Sequence, residues 1–153
     1  NKDTDNLRYT VPLHDIGKIG IPDHILLKPG KLTEEEWKYM KMHTIFGAQI
    51  LEGGKSDFVI QAEKIARTHH EKWNGEGYPE GLRATDIPIE GRIAALCDVF
   101  DALVSHRPYK EAWPVEKAVE EIEQQKGKHF DPDLVKVFME NIEAIVNVYN
   151  LYK

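Results

Sequence analysis

The chain has a single cysteine, Cys97, among 153 residues. No disulfide can close within it, and a reducing cytoplasm is the expected setting. Apolar runs are short: none approaches the roughly 20 residues that cross a bilayer, and no signal peptide opens the chain. No membrane contact is expected. Basic charge is also scarce, with 20 Lys and Arg against 26 Asp and Glu, a formal net charge of -6. A general nucleic-acid binder carries the opposite surplus. That class is excluded, although an anionic ligand held locally by metal ions or a few cations is not. Strand signals are missing too. No stretch alternates apolar and polar residues, and Asn74-Gly75 lacks flanking strands. There is no internal repeat and no low-complexity tract.

What is present is helical. The length suggests one domain over residues 1–153, and a chain of about 150 residues buries roughly two-thirds of its unfolded surface. The polar start, Asn1 to Asn6, reads as the abrupt opening of a longer domain. Thr33 with Glu36 forms a capping box. The helix it opens carries Trp37, Met40, Ile45, Ala48 and Leu51 at helical spacing and stops at Gly53-Gly54. Ser56 caps the next helix, where Phe58, Ala62, Ile65 and His69 share one stripe. Residues 73–82 are rich in Gly and contain Pro79, so they read as a loop. Further helices are expected over about Glu90 to Val104, from Pro114 to Gly127, and from Asp131-Pro132 to about Tyr149. The fold expected is all-α with one long functional loop.

Seven histidines stand out. His14-Asp15 follows an apolar stretch. Alone, it reads as a capping Asp beside a hydrogen-bonded His. His43, alone, reads as a packed or surface residue. His69 changes this, because the apolar stripe turns it inward, and His70 lies about 100° further round the helix and can flank the same pocket. Two imidazoles near a core are costly unless their nitrogens find partners. Asp98 lies within the apolar run Ile93 to Phe100, where a buried carboxylate needs a cation. Asp101 follows at i+3 on a shared face. His14, Asp15, His43, His69, His70 and Asp98 thus all demand polar partners. Mixed imidazole and carboxylate donors suit Fe, Mn, Co, Ni or Zn. Six donors exceed one tetrahedral zinc and fit two ions, roughly 3.5–4 Å apart, activating a shared water. Asp15 is the expected bridge.

These residues carry a resemblance. The order His14-Asp15, His43, His69-His70, Asp98 resembles the HD superfamily of metal-dependent phosphohydrolases. His14 to Asp23 (HDIGKIGIPD) and His69 to Pro79 (HHEKWNGEGYP) are similar to the two signatures of its HD-GYP family. Asp98 to Leu103 (DVFDAL) and Arg107 to Lys110 (RPYK) complete the pattern. The resemblance runs from Leu13 to about Phe138. Asn74 and Val104 depart from the residues usual in the family, as does Thr10-Val11, and none of them removes a ligand. The resemblance implies an HD-domain helical bundle with a Gly-rich GYP loop, lacking here its most N-terminal helix or helices. It also implies a centre of two divalent ions, or three, with Fe or Mn favoured. The implied activity is hydrolysis of the bacterial second messenger cyclic di-GMP to pGpG, with further cutting to GMP, and the implied partners are GGDEF-domain proteins that meet the GYP loop. By motif position, His14, Asp15, His43, His69, His70 and Asp98 correspond to metal ligands.

In that light Lys18, three residues beyond Asp15, is expected to stabilise the phosphate or protonate the leaving oxygen. Asp15 and Lys18 are the catalytic pair. Arg107 and Lys110 become phosphate clamps. Tyr78 is a candidate to stack on guanine or bond a phosphate, with a structural Ω-loop as the equal alternative. Asp101 completes the substrate-binding candidates. Trp37, Trp73 and Trp113 are expected in packing roles, His24, His106 and His129 at the surface or in caps, and Cys97 buried and inert. Two alternatives stand beside the phosphodiesterase. One is a non-catalytic receptor for the nucleotide or for a GGDEF protein, and the other is an HD hydrolase of a different cyclic dinucleotide.

Overall fold

The computed structural model describes residues 2–106 and 111–151. Arg107 and Lys110 lie outside the described residues. Among the described residues the chain is helical and has no strand. Helix α1 (Lys2–Thr10) replaces the polar opening expected from composition. Two 3₁₀ helices follow, Val11–Leu13 and Ile16–Gly20, and His14-Asp15 sits between them. A short α2 (Asp23–Leu26) leads to α3 (Glu34–Lys41) and α4 (His43–Leu51). The Thr33 cap forms as expected: its hydroxyl accepts from the Glu36 amide, and the Glu36 carboxylate accepts from the Thr33 amide. The single helix expected from Thr33 to Leu51 is instead two, divided at Met42, and the division makes His43 the first residue of α4.

Helix α5 (Asp57–Thr68) is opened by the Ser56 hydroxyl, which accepts from the Val59 amide at 3.3 Å. It buries Ala62, Ile65 and Ala66. After an irregular stretch and a 3₁₀ turn at Ala84–Asp86 comes α6 (Ile89–Val104), then α7 (Val115–Gln124), α8 (Pro132–Glu140) and α9 (Ile142–Leu151). The final helix expected as one also divides, here at Asn141. Asp131 caps α8 by accepting from the Asp133 amide at 2.8 Å, and Pro132 holds the first turn.

Helix α6 joins two packed regions. At one end Ala94 and Ala95 face the α4–α5 layer, which contributes Ala48, Ala62, Ile65 and Ala66. At the other, Leu96, Phe100, Leu103 and Val104 pack with Ala118 and Ile122 of α7, Phe130, and Val135 and Phe138 of α8. Two glycines set how closely the site-bearing elements meet. A Cβ at Gly17 would strike the backbone of His43 and Gly47, so only glycine lets the 3₁₀ segment lie on α4. A Cβ at Gly91 would strike the Thr68 hydroxyl, so α6 rests directly on the end of α5. The first contact brings Asp15 to His43; the second brings α6, with Asp98, to His69 and His70.

Candidate metal centre

Each histidine of the centre is aimed by its own backbone. His43 Nδ1 donates to the Met40 carbonyl at 2.7 Å, and His14 Nδ1 to the Val11 carbonyl at 2.8 Å. His69 Nδ1 faces the carbonyls of Ile65 and Ala66, each at 3.1 Å. With the proton fixed on Nδ1, the Nε2 atoms of His43 and His69 are bare acceptors, and a neutral imidazole held by a carbonyl in this way is the form that ligates metals. The Nε2 atoms of His43 and His69 lie 3.4 Å apart. Two acceptors face to face are a repulsive arrangement that a cation between them relieves.

Asp15 supplies the negative charge. Its Oδ1 lies 3.4 Å from His43 Nε2 and 3.8 Å from His69 Nε2. Its Oδ2 lies 3.4 Å from His14 Nε2 and 2.5 Å from Lys18 Nζ. The carboxylate therefore turns one oxygen to each side. His14 Nε2 also lies 3.6 Å from Asp98 Oδ1. Donor atoms of Asp15, His43, His69 and His70 all fall within 4.8 Å of one another. The His69 and His70 ring centroids are 4.1 Å apart, and those of His43 and His70 are 5.1 Å apart. Four of the six side chains singled out in the sequence form a cluster whose donors could hold a divalent cation, and His14 and Asp98 adjoin it, His14 through Asp15 and Asp98 through His14.

Burial keeps His43, His69 and His70 in their neutral, ligating forms. Burial pushes His69 down to about 4, helped by His14 and His43. Burial, then the His69 charge, pushes His70 down to about 2. Burial also lowers His43. Burial works to raise Asp15, but the hydrogen bonds from His14 and Lys18 outweigh it and leave the carboxyl well below its ordinary range. His14, bonded to Asp15, is raised.

The cluster opens into a cavity of about 340 Å3 lined by Asp15, Lys18, His43, His70, Tyr78 and Asp98 together with the apolar Leu26, Trp37, Met40 and Ala102. Its volume lies at the small end of ligand sites, which run from about 300 to 1,000 Å3. A larger hollow of about 970 Å3 lies against α7 and α9, but among the described residues no His, Asp or Lys lines it.

Tyr78 stacks on His70, with centroids 4.8 Å apart, and Lys41 Nζ lies 5.5 Å from the Tyr78 ring. Burial, with Asp15 and Asp98 nearby, pushes its hydroxyl upward, so it remains a proton donor. The loop that delivers Tyr78 is tied down by Glu71, a residue to which sequence reasoning assigned no role. Glu71 is buried, and its two oxygens accept from the amides of Glu80 at 2.8 Å and Leu82 at 3.0 Å. At its base the loop is pinned to the α7–α8 turn, where Trp73 and Asn74 donate to the carbonyls of His129 and Lys128.

Several expectations change. Asp101 is not brought to this cavity. It lies one turn beyond the exposed Cys97 on the outer side of α6, accepts from Ser105, and lines a separate hollow with Phe100 and Val104. Cys97 is accordingly exposed rather than buried, because Leu96 and Phe100 take the inner face. Trp37, expected in packing, is 48% exposed on the cavity wall. His129 is half-buried and stacked on Phe130 at 4.3 Å rather than lying at the surface. His24 and His106 are exposed as expected.

A family model of the HD domain matches residues 1–134, and the chain belongs to the HD domain family. A protein of Thermotoga maritima named cyclic di-GMP phosphodiesterase is 50% identical over 147 residues, which are 96% of this chain and 40% of that protein. A Vibrio cholerae protein named 3'3'-cGAMP-specific phosphodiesterase 2 is 47% identical over 146 residues, covering 95% of this chain and 28% of that protein. The chain thus spans less than half the length of these relatives. A crystal structure of a cyclic GMP-AMP specific phosphodiesterase of V. cholerae aligns with a TM-score of 0.61 at 22% identity, over 90% of this chain and 38% of that one, and shows the same fold. The all-α, HD-domain expectation drawn from the motifs stands. Dependence on divalent metal follows from the family and agrees with the His/Asp cluster.

Proposed function

We propose that this domain is a metal-dependent phosphodiesterase that hydrolyses cyclic di-GMP to pGpG, with further cutting to GMP, in second-messenger signalling within the bacterial cytoplasm. The observation that carries the reading is the two-sided Asp15 carboxylate, with one oxygen toward His43 and His69 and the other toward His14. His14, Asp15, His43, His69, His70 and Asp98 would hold the ions, with Asp15 placed to serve as a shared ligand. The mixed donor set suits Fe, Mn, Co, Ni or Zn, and the resemblance to the HD-GYP family favours Fe or Mn among them. A third ion requires donors beyond these six. Two such ions, when bound, supply Lewis-acid charge to the phosphoryl oxygens and acidify the attacking water.

The chain's own groups do the rest. Lys18 Nζ, held at Asp15, stands at the cavity edge, where it offsets phosphoryl charge or delivers a proton to the departing 3′ oxygen. Arg107 and Lys110 add two cations to the phosphate. Tyr78, as a proton donor, bonds a phosphate oxygen. The loop that carries it is also the surface offered to GGDEF-domain proteins.

The second reading is a hydrolase of a cyclic GMP-AMP dinucleotide, favoured by the name of the 47% identical V. cholerae relative. Protein loaded anaerobically with Fe or Mn and incubated separately with each dinucleotide distinguishes the two. Faster conversion of cyclic di-GMP to pGpG is expected. Faster cleavage of cyclic GMP-AMP would select the second reading, and binding without cleavage of either would make the domain a receptor.

A further inference from the structure

We infer that Trp37 is the stacking platform for a purine base of the substrate. The inference rests on the reading of the cavity as a cyclic-dinucleotide site and adds to it the residue that recognises the base. The cavity lining is of two kinds: Asp15, Lys18, His43, His70, Asp98 and Tyr78 offer charge and hydrogen bonds, and Leu26, Trp37, Met40 and Ala102 supply apolar wall. A nucleotide is divided in the same way, with an anionic phosphodiester at one end and a flat, weakly polar ring at the other. With the phosphate bound at the metals, the apolar part of the lining is what remains to meet a base.

Trp37 is the side chain on that wall with a ring to offer. It is 48% exposed, and among the large exposed apolar residues it is the one that lines this cavity. Indole is usually mostly buried, so an indole left open at a binding cavity carries a cost that a ligand can recover. Tyr78, the other aromatic at the cavity, already stacks on His70. The Trp37 ring has no ring, cation or hydrogen-bond partner among the described residues. Its place is fixed nevertheless. The Thr33–Glu36 capping box anchors the first turn of α3, and the Trp37 amide donates to the Thr33 carbonyl at 2.8 Å. Met40 follows at i+3 on the same wall, and His43, a centre residue, begins the next helix. The platform is therefore held on a rigid element continuous with the metal centre.

Steady-state hydrolysis of cyclic di-GMP by the metal-loaded domain, with metal content and melting temperature measured in parallel, tests this. Trp37→Ala should raise KM about tenfold, the effect expected on losing one stacked base, with kcat within about twofold and metal content unchanged. Trp37→Phe should recover KM to within about threefold of wild type. Quenching of tryptophan fluorescence by the nucleotide should be largely lost in Trp37→Phe. An unchanged KM in Trp37→Ala overturns the inference, as does Trp37→Phe behaving no better than Trp37→Ala. A fall in kcat together with lost metal makes Trp37 a structural support and overturns it as well. A wild-type protein that neither binds nor cleaves a cyclic dinucleotide fails earlier, and takes down the reading of the site along with the platform.

Discussion

At the scale of single residues, the centre is built by removing choices. An imidazole has two nitrogens, and His14, His43 and His69 each commit one of them to a backbone carbonyl. In His43 and His69 the other is then an acceptor, and the lowered pKa values of these two keep it unprotonated near neutral pH. His69 is the most buried of the set, 1% exposed, and its ring neighbours those of His14, His43 and His70. Removing it takes away one donor and the packing that orients three others. His69→Ala is expected to lose bound metal and phosphodiesterase activity together, with activity falling at least about 100-fold, the upper part of the range seen when even the partners of a ligand are removed. Elemental analysis of the purified variant beside a turnover assay checks this. Full turnover without His69 would contradict its place among the ligands.

At the scale of elements, the 71–83 segment shows how irregular backbone is held. Glu71 accepts from two amides nine and eleven residues away and so closes the segment on itself, placing Tyr78 against His70. Glu71→Ala would leave those amides without their acceptor in a buried place, a loss of about 1–3 kcal/mol. Urea unfolding should show that loss as a lower midpoint at unchanged slope. A midpoint identical to wild type would mean the segment is held elsewhere. This anchor was not legible in the sequence, where a Glu between His70 and Lys72 has the look of a solvated charge. Its burial appears only once the chain has folded back over it. Local signals fared differently. The Thr33 box, the Ser56 cap, the Asp131-Pro132 start and the stripe that turns His69 inward are all written within a few residues, and each appears where the spacing placed it. The divisions at Met42 and Asn141 have no Gly or Pro to announce them in the sequence. Trp37 was misplaced for a related reason, since the apolar spacing of a helix says that a face is apolar and not what covers it. Of the candidate donors, His69 and Asp98 were legible from the apolar stripe and run that hold them, whereas His14-Asp15 and His43 carried no inward pattern of their own and were singled out through the order of the motifs.

At the scale of the whole molecule, the α6–α7–α8 core and the centre meet through one joint. Trp73 and Asn74 of the loop bond to the α7–α8 turn. Arg92 of α6 donates to the Ile87 carbonyl at 2.9 Å, pairs with the buried Asp131 at 2.6 Å, and lies 5.9 Å from the Trp73 ring. His129 is part of this joint, and burial, then the Lys72 charge, pushes it down from an ordinary value near 6.5 to about 4. The sign of its effect is fixed by which state takes the proton. Between about pH 6.5 and pH 4 the unfolded chain protonates His129 and the folded chain resists, so stability falls as pH drops through that window and is whole above it. His129→Phe keeps a flat ring beside Phe130 and removes the titration. Melting temperatures of the two proteins, both metal-loaded so that the other buried imidazoles stay occupied, should converge or cross as pH is lowered from 7 to 5, with wild type losing more. Parallel curves would show that protonation of His129 costs the folded joint nothing, and that acid acts on this fold through its carboxylates instead.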